Sequence, residues 1–460
     1  MRNLLSLFLL MGLAIVPYTI HSQISIGSAQ ADTQSVATGL DTPWEILWGP
    51  DDHIWFTERY GKVSRLNPDN ENITELITIE DVHEEGESGL LGMTFHPDFP
   101  GTPYVYVVYN YISGSNIEER LVRYTYENES LTSPNVLIEG IEGNTYHNGS
   151  RIVFDNDDKL YFSTGDAGNT AYSQELNSLN GKILRMNPDG SIPEDNPFQD
   201  SYIWTYGHRN AQGLIISPDG IMYSSEHGPA SDDEMNIIEK GRNYGWPDVN
   251  GFCDETSEID FCEDNNVKEP IEAWTPTLAV AGIDYYHHDA ISEWDNSILM
   301  TTLKESELVQ LKLSDDGMNI DEENRWFDNW FGRLRDVCIS PDGRVFIAVS
   351  NRDGRGNPKP GDDRIVEIAP VNETSENLNP KADEALTIYP NPMDYKTVIS
   401  IHDDLSGSTL KIYNSIGVKV FEKKMTNTRE TTIDQDLSTG MYIVVLQNNQ
   451  QQFNKKMIVK

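Results

Sequence analysis

The chain has 460 residues, too many for one ordinary domain, so one large domain with a smaller companion is the expected organisation. Its formal charge of −40, from 34 Lys/Arg against 74 Asp/Glu, excludes a nucleic-acid partner, whose binding rests on cations at phosphates. From Leu386 onward there are nine Lys/Arg against seven Asp/Glu, so the acidity belongs to the preceding residues, where it makes a solvated surface.

A charged start at Arg2 and an apolar run from Leu4 to Val16 fit a signal peptide over residues 1–22. That run falls short of the roughly 20 residues a spanning helix needs. Ser22 and Ala29-Gln30-Ala31 both offer cleavage points, and a soluble, exported mature protein is expected, secreted or attached at the cell surface.

Residues 33–370 carry short alternating apolar runs separated by turn residues, which predicts an all-β body. One unit recurs at residues 44–56, 150–162, 213–223 and 335–346: an apolar strand, an Asp-rich turn, a second apolar strand. The turns are Gly49-Pro50-Asp51-Asp52, Asp155-Asn156-Asp157-Asp158, Ser217-Pro218-Asp219-Gly220 and Ser340-Pro341-Asp342-Gly343. Pro presets φ there, and Asp or Gly tolerates the tight conformation that follows. Repeated small β units over this length predict a propeller; tandem β-sandwiches give no reason for one hairpin to recur.

Cys253 and Cys262 lie close together in a polar stretch of an exported chain, which predicts a disulfide ahead of a metal site. Cys338, in Val337-Cys338-Ile339, is expected to be a buried free thiol. Residues 371–384 are polar and Pro-containing and read as a linker. Three alternating segments within residues 385–460 predict a small β-sandwich.

A hairpin holds its turn at one end and its two free ends together at the other, so residues flanking each repeat should converge on one rim. His147, entering the second copy, and Asp166, leaving it, are nineteen apart in sequence yet should be neighbours. A carboxylate on one imidazole nitrogen fixes the tautomer and leaves the other nitrogen as a base. The same rim collects Arg209, Arg333, Arg335, Arg352 and Arg355. Converging arginines in an acidic protein need an anionic guest or local carboxylates such as Asp336, and His147 as a mere polar cap is the competing reading.

Tyr206-Gly207-His208-Arg209-Asn210-Ala211-Gln212-Gly213 and Glu226-His227-Gly228-Pro229-Ala230-Ser231-Asp232-Asp233-Glu234 resemble the soluble, pyrroloquinoline-quinone (PQQ)-dependent glucose and aldose sugar dehydrogenases. Asn243-Tyr244-Gly245-Trp246-Pro247 and Gly89-Leu90-Leu91-Gly92-Met93 agree, in order, between about residues 37 and 369. The resemblance implies a six-bladed propeller with the quinone in a cleft on its axis. It implies His147 as the base that takes the anomeric hydroxyl proton while hydride passes to the quinone, with Asp166 orienting it. Arg209, Asn210, Gln212, Thr277, Lys304, Arg333 and Arg335 would hold the cofactor. The carbonyls of Gly228 and Pro229 would hold the Ca2+ that polarises it, and Asn250, Phe252 and Asp254 a second, structural calcium.

Near the substrate the pattern departs: Glu87 stands where glucose-oxidising members have glutamine, and Tyr146 where they have aspartate. Trp274 is offset by one residue from their stacking tryptophan. An aldose is therefore the expected substrate, with an external electron acceptor as second partner. The tail, from Tyr389-Pro390-Asn391-Pro392 to the final Lys455-Lys456-Met457-Ile458-Val459-Lys460, resembles a type A sorting domain, which implies the type IX secretion machinery as a partner.

Two other functions compete: a propeller that binds a glycan or protein without redox chemistry, and a calcium-dependent lactonase-type hydrolase. A binding module has no need of His147 together with Lys304, Arg333 and Arg335, and a lactonase cage calls for side-chain carboxylates and amides rather than arginines.

Overall fold

In the computed structural model the described residues are 22–370 except 28, and 386–460 except 394, 402–407, 415–418, 426–428, 434–436, 439 and 448–451. The expected signal peptide, up to residue 21, and the expected linker lie outside them. The chain divides into two compact units, 1–370 and 371–460.

The described part of the first unit forms six antiparallel sheets. Their leading strands are Pro43–Trp48, Leu90–Phe95, Gly149–Phe154, Ala211–Ile216, Val280–Tyr286 and Leu334–Ile339. Each leading strand packs against the next, and the sixth packs against the first, so the ring closes on itself. The last sheet is completed by the N-terminal strand Ala29–Thr38, which pairs with Arg364–Pro370 and ties the two ends of the ring together. The apolar faces meet between neighbouring sheets, as where Trp55, Met93 and Val107 pack together, and Cys338 is buried in one such layer.

The four repeated hairpins are built alike. Gly49, Asp155, Ser217 and Ser340 each donate their N–H to the carbonyl four residues on, at 2.7–2.9 Å. The residue before that acceptor has positive φ in every copy: Asp52, Asp158, Gly220 and Gly343. This is a type I turn followed by a left-handed residue, which explains why Asp or Gly ends each turn.

At the opposite end of the leading strands a second device recurs. The pairing of each leading strand with its neighbour slips within its first residues, in all six sheets. Such bulges re-aim side chains. Trp44, Leu91, Gln212 and Arg335 stand at these slips and line the axial cavity. The next residue along is Glu45, Gly92, Gly213 or Asp336, with Arg151 and Gly282 equivalent on the remaining two strands. A Cβ on Gly92 would stand 1.9 Å from the Ser150 carbonyl, and on Gly282 1.8 Å from Asp336 Oδ1, so glycine permits the close approach of neighbouring strands.

Glu45, Arg151 and Asp336 thereby meet as a buried cluster. Arg151 Nη1 donates to Glu45 at 2.6 Å and Asp336 at 2.9 Å, and its guanidinium lies 4.2 Å from the Trp44 ring centre. Burial raises both carboxyls above their ordinary values, and Arg151 only partly opposes it.

The helix Thr256–Asn265 begins with a capping box between Glu255 and Glu258, and the Cys253–Cys262 disulfide ties it to the preceding loop, as the sequence predicts. In the second unit, Leu386–Tyr389, Thr397–Ile401 and Glu430–Ile433 form one sheet. Lys419–Lys424, Thr409–Asn414, Gly440–Gln447 and Gln452–Val459 form another, and one cluster including Ile399, Ile412 and Val444 draws on both. No helix among the described residues is long and apolar enough to cross a membrane.

Candidate active site

The bulged ends of the leading strands surround a cavity of about 440 Å³. Six cationic side chains (Arg59, Arg209, Lys304, Arg333, Arg335, Arg355) line it, against three carboxylates (Glu87, Asp233, Asp353). A positive surplus in so acidic a chain marks a place for an anion.

His147 sits on this wall with φ of +57°, a conformation an L-residue holds only under constraint. The constraint is visible on every side. Its Nδ1 lies 2.7 Å from Asp166 Oδ1, its N–H donates to Glu87 Oε2 at 3.2 Å, and its carbonyl accepts from Ala167 at 3.1 Å. A Cβ on Gly165 would stand 1.9 Å from that carbonyl, so only glycine lets the two loops approach. Asp166 is fully buried and accepts from Gly168 N–H at 2.7 Å and the Trp246 indole at 2.9 Å. The carboxylate is thus held from three directions, and His147 Nε2 has no partner among the described residues.

The cations are positioned by sparse contacts. Arg209 lies over the Trp246 ring at 5.3 Å and donates Nη1 to the His227 carbonyl at 3.1 Å, while its Nε is buried without a partner. Arg333 and Arg335 share one carboxylate oxygen of Asp353, at 2.7 and 3.3 Å, and Arg335 Nε is likewise buried and unpartnered. Burial, only partly offset by Asp353 and compounded by Arg333 and Arg59, pushes the Arg335 pKa down to about 10. Lys304 Nζ donates to the Thr277 carbonyl at 2.6 Å. Asp336 pairs with Arg151 and leaves the rim arginines alone, so that local-acid alternative fails for it, whereas Asp353 does engage two of them.

The remaining predicted residues divide. Gln212 lines the cavity, and its Oε1 lies 3.4 Å from Arg335 Nη1. Asn210 does not line it; its Oδ1 accepts from Gly149 N–H and Gln212 Nε2, supporting the wall from behind. Gly228 and Pro229 line the cavity, no described group donates to their carbonyls, and Gly228 N–H is anchored to Asp233 at 2.8 Å. Glu87 lines the mouth, and Tyr146 lies edge-on to His147 with ring centres 4.7 Å apart.

Trp274 is a correction: it is 7% exposed, packed between the fourth and fifth sheets, and its indole donates to Glu323 at 2.8 Å. The outer strand Glu272–Trp274 carries it away from the cavity. Asn250, Phe252 and Asp254 also lie off the cavity, beside Cys253 of the disulfide, where the Phe252 carbonyl accepts the Asp254 N–H at 2.9 Å. Asn250 Oδ1 is buried without a partner in a small recess shared with Glu226 and Glu234. Among the described residues no group of three or more His, Cys, Asp or Glu is disposed to hold a metal ion.

Four contributors escape the sequence argument. Trp44, Asp353 and His227 lie within or just after repeated hairpins and were accessible by the same flanking rule; Trp246 comes from a loop whose course no repeat foretells.

A glucose/sorbosone dehydrogenase family model matches residues 40–357, and a secretion-system C-terminal sorting domain matches residues 387–460. The chain belongs to the glucose/sorbosone dehydrogenase family, built on a β-propeller, and carries a C-terminal sorting domain. It is similar to quinoprotein glucose dehydrogenase B of Acinetobacter calcoaceticus, with 31% identity across 77% of this chain and 92% of that protein. Similarity to the aldose sugar dehydrogenase YliI of Escherichia coli is 27% across 73% and 94%. The solved PQQ-bound aldose sugar dehydrogenase of Streptomyces coelicolor superposes with a TM-score of 0.65 at 34% identity, covering 77% of this chain and 99% of that one.

Proposed function

We propose that this protein is an exported quinoprotein, a six-bladed propeller followed by a β-sandwich sorting domain, that oxidises the anomeric hydroxyl of an aldose to the lactone. The observation that carries the reading is the pairing of an open imidazole, His147 on Asp166, with buried guanidinium donors on Arg209 and Arg335 that lack partners. Unpartnered charged donors cost stability unless a guest meets them, and a flat polycarboxylate is such a guest. Arg209, Arg333, Arg335 and Lys304 would hold its carboxylates, with Gln212 and Thr277 beside them and Asn210 bracing the wall. The free carbonyls of Gly228 and Pro229 suit a hard cation that takes its other ligands from the guest.

When bound, pyrroloquinoline quinone supplies the hydride acceptor and calcium the Lewis acid that polarises it. The chain's own part is proton management. His147 Nε2 takes the proton from the anomeric hydroxyl, and Asp166 steadies the imidazolium that forms. The Trp246 indole and Gly168 N–H keep Asp166 from turning away. Glu87 and Tyr146 flank the base where the sugar would sit. A calcium at Asn250, Phe252 and Asp254 belongs to the same proposal, the unpartnered Asn250 Oδ1 being its support.

The test is reconstitution of the purified protein with PQQ and calcium, followed by dye reduction across a panel of aldoses. Turnover is expected, and His147→Ala should lower kcat by about 10²–10⁴-fold while quinone remains bound by fluorescence titration. Absence of both quinone binding and turnover in the unaltered protein would overturn the reading.

A further inference from the structure

One charged contact at the cavity is left unused by that chemistry. Arg355 Nη2 lies 3.1 Å from Glu87 Oε1, and the other oxygen of Glu87 accepts the backbone N–H of His147 at 3.2 Å. Glu87 precedes the leading strand of the second sheet, and Arg355 follows the repeated hairpin of the sixth, so the pair reaches past the whole first sheet. The Arg355 side chain is 69% exposed, yet it lines the cavity together with Glu87 and His147. The contact therefore lies at the mouth, within one residue of the base.

The backbone around Arg355 is suited to bringing it there. Gly354 has φ of +91° with open space around it, and Asp353 Oδ1 accepts the Arg355 N–H at 2.9 Å. Asp353 is the same carboxylate that gathers Arg333 and Arg335, so the three arginines share one anchor but face different tasks. Arg335 is buried with an unpartnered Nε, Arg333 is half-buried and donates also to the Leu303 carbonyl, and Arg355 is exposed and answered by an acid.

We infer that Arg355 is a specificity-determining residue that, paired with Glu87 across the mouth, makes the sugar end of the cavity select uncharged aldoses. The inference rests on the sugar-dehydrogenase reading above. A compensated pair offers hydroxyl groups both an acceptor and donors, while adding no net field for a charged sugar to follow. An anionic sugar meets Glu87 at contact distance from the base; a cationic one meets Arg355 on the way in. Like charges at such contact are costly, and the exposed side of the pair is screened, so each rejection is moderate. Desolvation in the cavity opposes ionisation of Glu87, but His227, the His147 N–H, Arg355 and Arg335 together hold it below its ordinary value, so it is an anion at neutral pH. Tyr146, exposed and edge-on to His147, supplies an apolar surface that is indifferent to charge.

The experiment compares the holoenzyme with Arg355→Ala, Glu87→Gln and the double variant on three sugars: a neutral aldose, its 2-amino-2-deoxy analogue and its uronic acid. Arg355→Ala uncovers Glu87, so the amino-sugar to neutral-sugar ratio of kcat/KM should rise by about tenfold, chiefly through KM. Glu87→Gln uncovers Arg355 and should raise the uronic-acid to neutral-sugar ratio by about the same factor. The double variant should return both ratios to those of the unaltered enzyme. Quinone affinity, followed by fluorescence titration, should not change in any of them, which separates a gate from a cofactor ligand. Ratios that stay within about twofold in both single variants, with turnover intact, would overturn the inference. Should the unaltered enzyme oxidise no sugar, the dehydrogenase reading fails on its own, and calorimetric binding of the same three sugars then decides the pair's role by the same reversal.

Discussion

Arg335 and Asp336 are neighbours in sequence and lie on opposite sides of a boundary. Below it, around the axis, two carboxylates of Glu45 and Asp336 enclose one cation, Arg151. Above it, two cations, Arg333 and Arg335, share one carboxylate, Asp353. The residue types are the same and the stoichiometry is inverted. The lower cluster carries surplus acid whose ionisation burial opposes, and it is sealed between sheets. The upper cluster carries surplus cation that cannot shed its proton at neutral pH, so it stays open to an anionic guest. One cluster joins sheets; the other lines the cavity.

The largest way to break this comparison is Arg151→Met, which strands two buried carboxylates. It should cost about 3–5 kcal/mol in chemical denaturation, because an uncompensated buried charge is left behind. Asp166→Asn comes next, with an expected fall in kcat of about 10²–10³-fold at unchanged quinone affinity, since the amide can hold the wrong tautomer of His147. Arg335→Met should weaken quinone binding by about 10–100-fold, read by fluorescence titration, while leaving the denaturation midpoint unchanged or raised. An equal loss of stability in Arg151→Met and Arg335→Met would dissolve the distinction.

The smallest effect concerns pH. Glu119 is 1% exposed, its pKa raised to about 8 by burial, with the Ser150 hydroxyl at 2.7 Å partly offsetting it. The folded state therefore keeps a proton that the unfolded chain releases at the ordinary value of 4.5. Its stabilising contribution is full below that value and is lost as pH rises through about 8. Glu119→Gln should flatten the decline in unfolding free energy between pH ~6 and ~8 by about 1–2 kcal/mol.

Much of this was legible in the chain because the hairpin repeats. The turn chemistry of Asp52, Asp158, Gly220 and Gly343 is local, and four copies in register announce sheets of one kind. The flanking rule brought His147 to Asp166 across nineteen residues because an antiparallel hairpin leaves no other place for its ends. Trp274 shows where such reasoning stops. An offset of one residue in a β-strand turns the side chain to the other face, and the indole went into the core between two sheets.

By itself, then, the sequence determined the β class, the hairpin, the disulfide, the family and a shortlist of cations and one histidine, all of which follow from local pattern or motif. Only the tertiary structure decided which arginine is sealed in the core and which faces the cavity. That choice depends on slips in register at the start of six strands, which send Arg335 to the cavity and Asp336 to the axis. Register is a property of paired strands, and no single strand carries it. The same holds for Glu87 and Arg355, whose meeting needs a closed ring to bring the second and sixth sheets within reach.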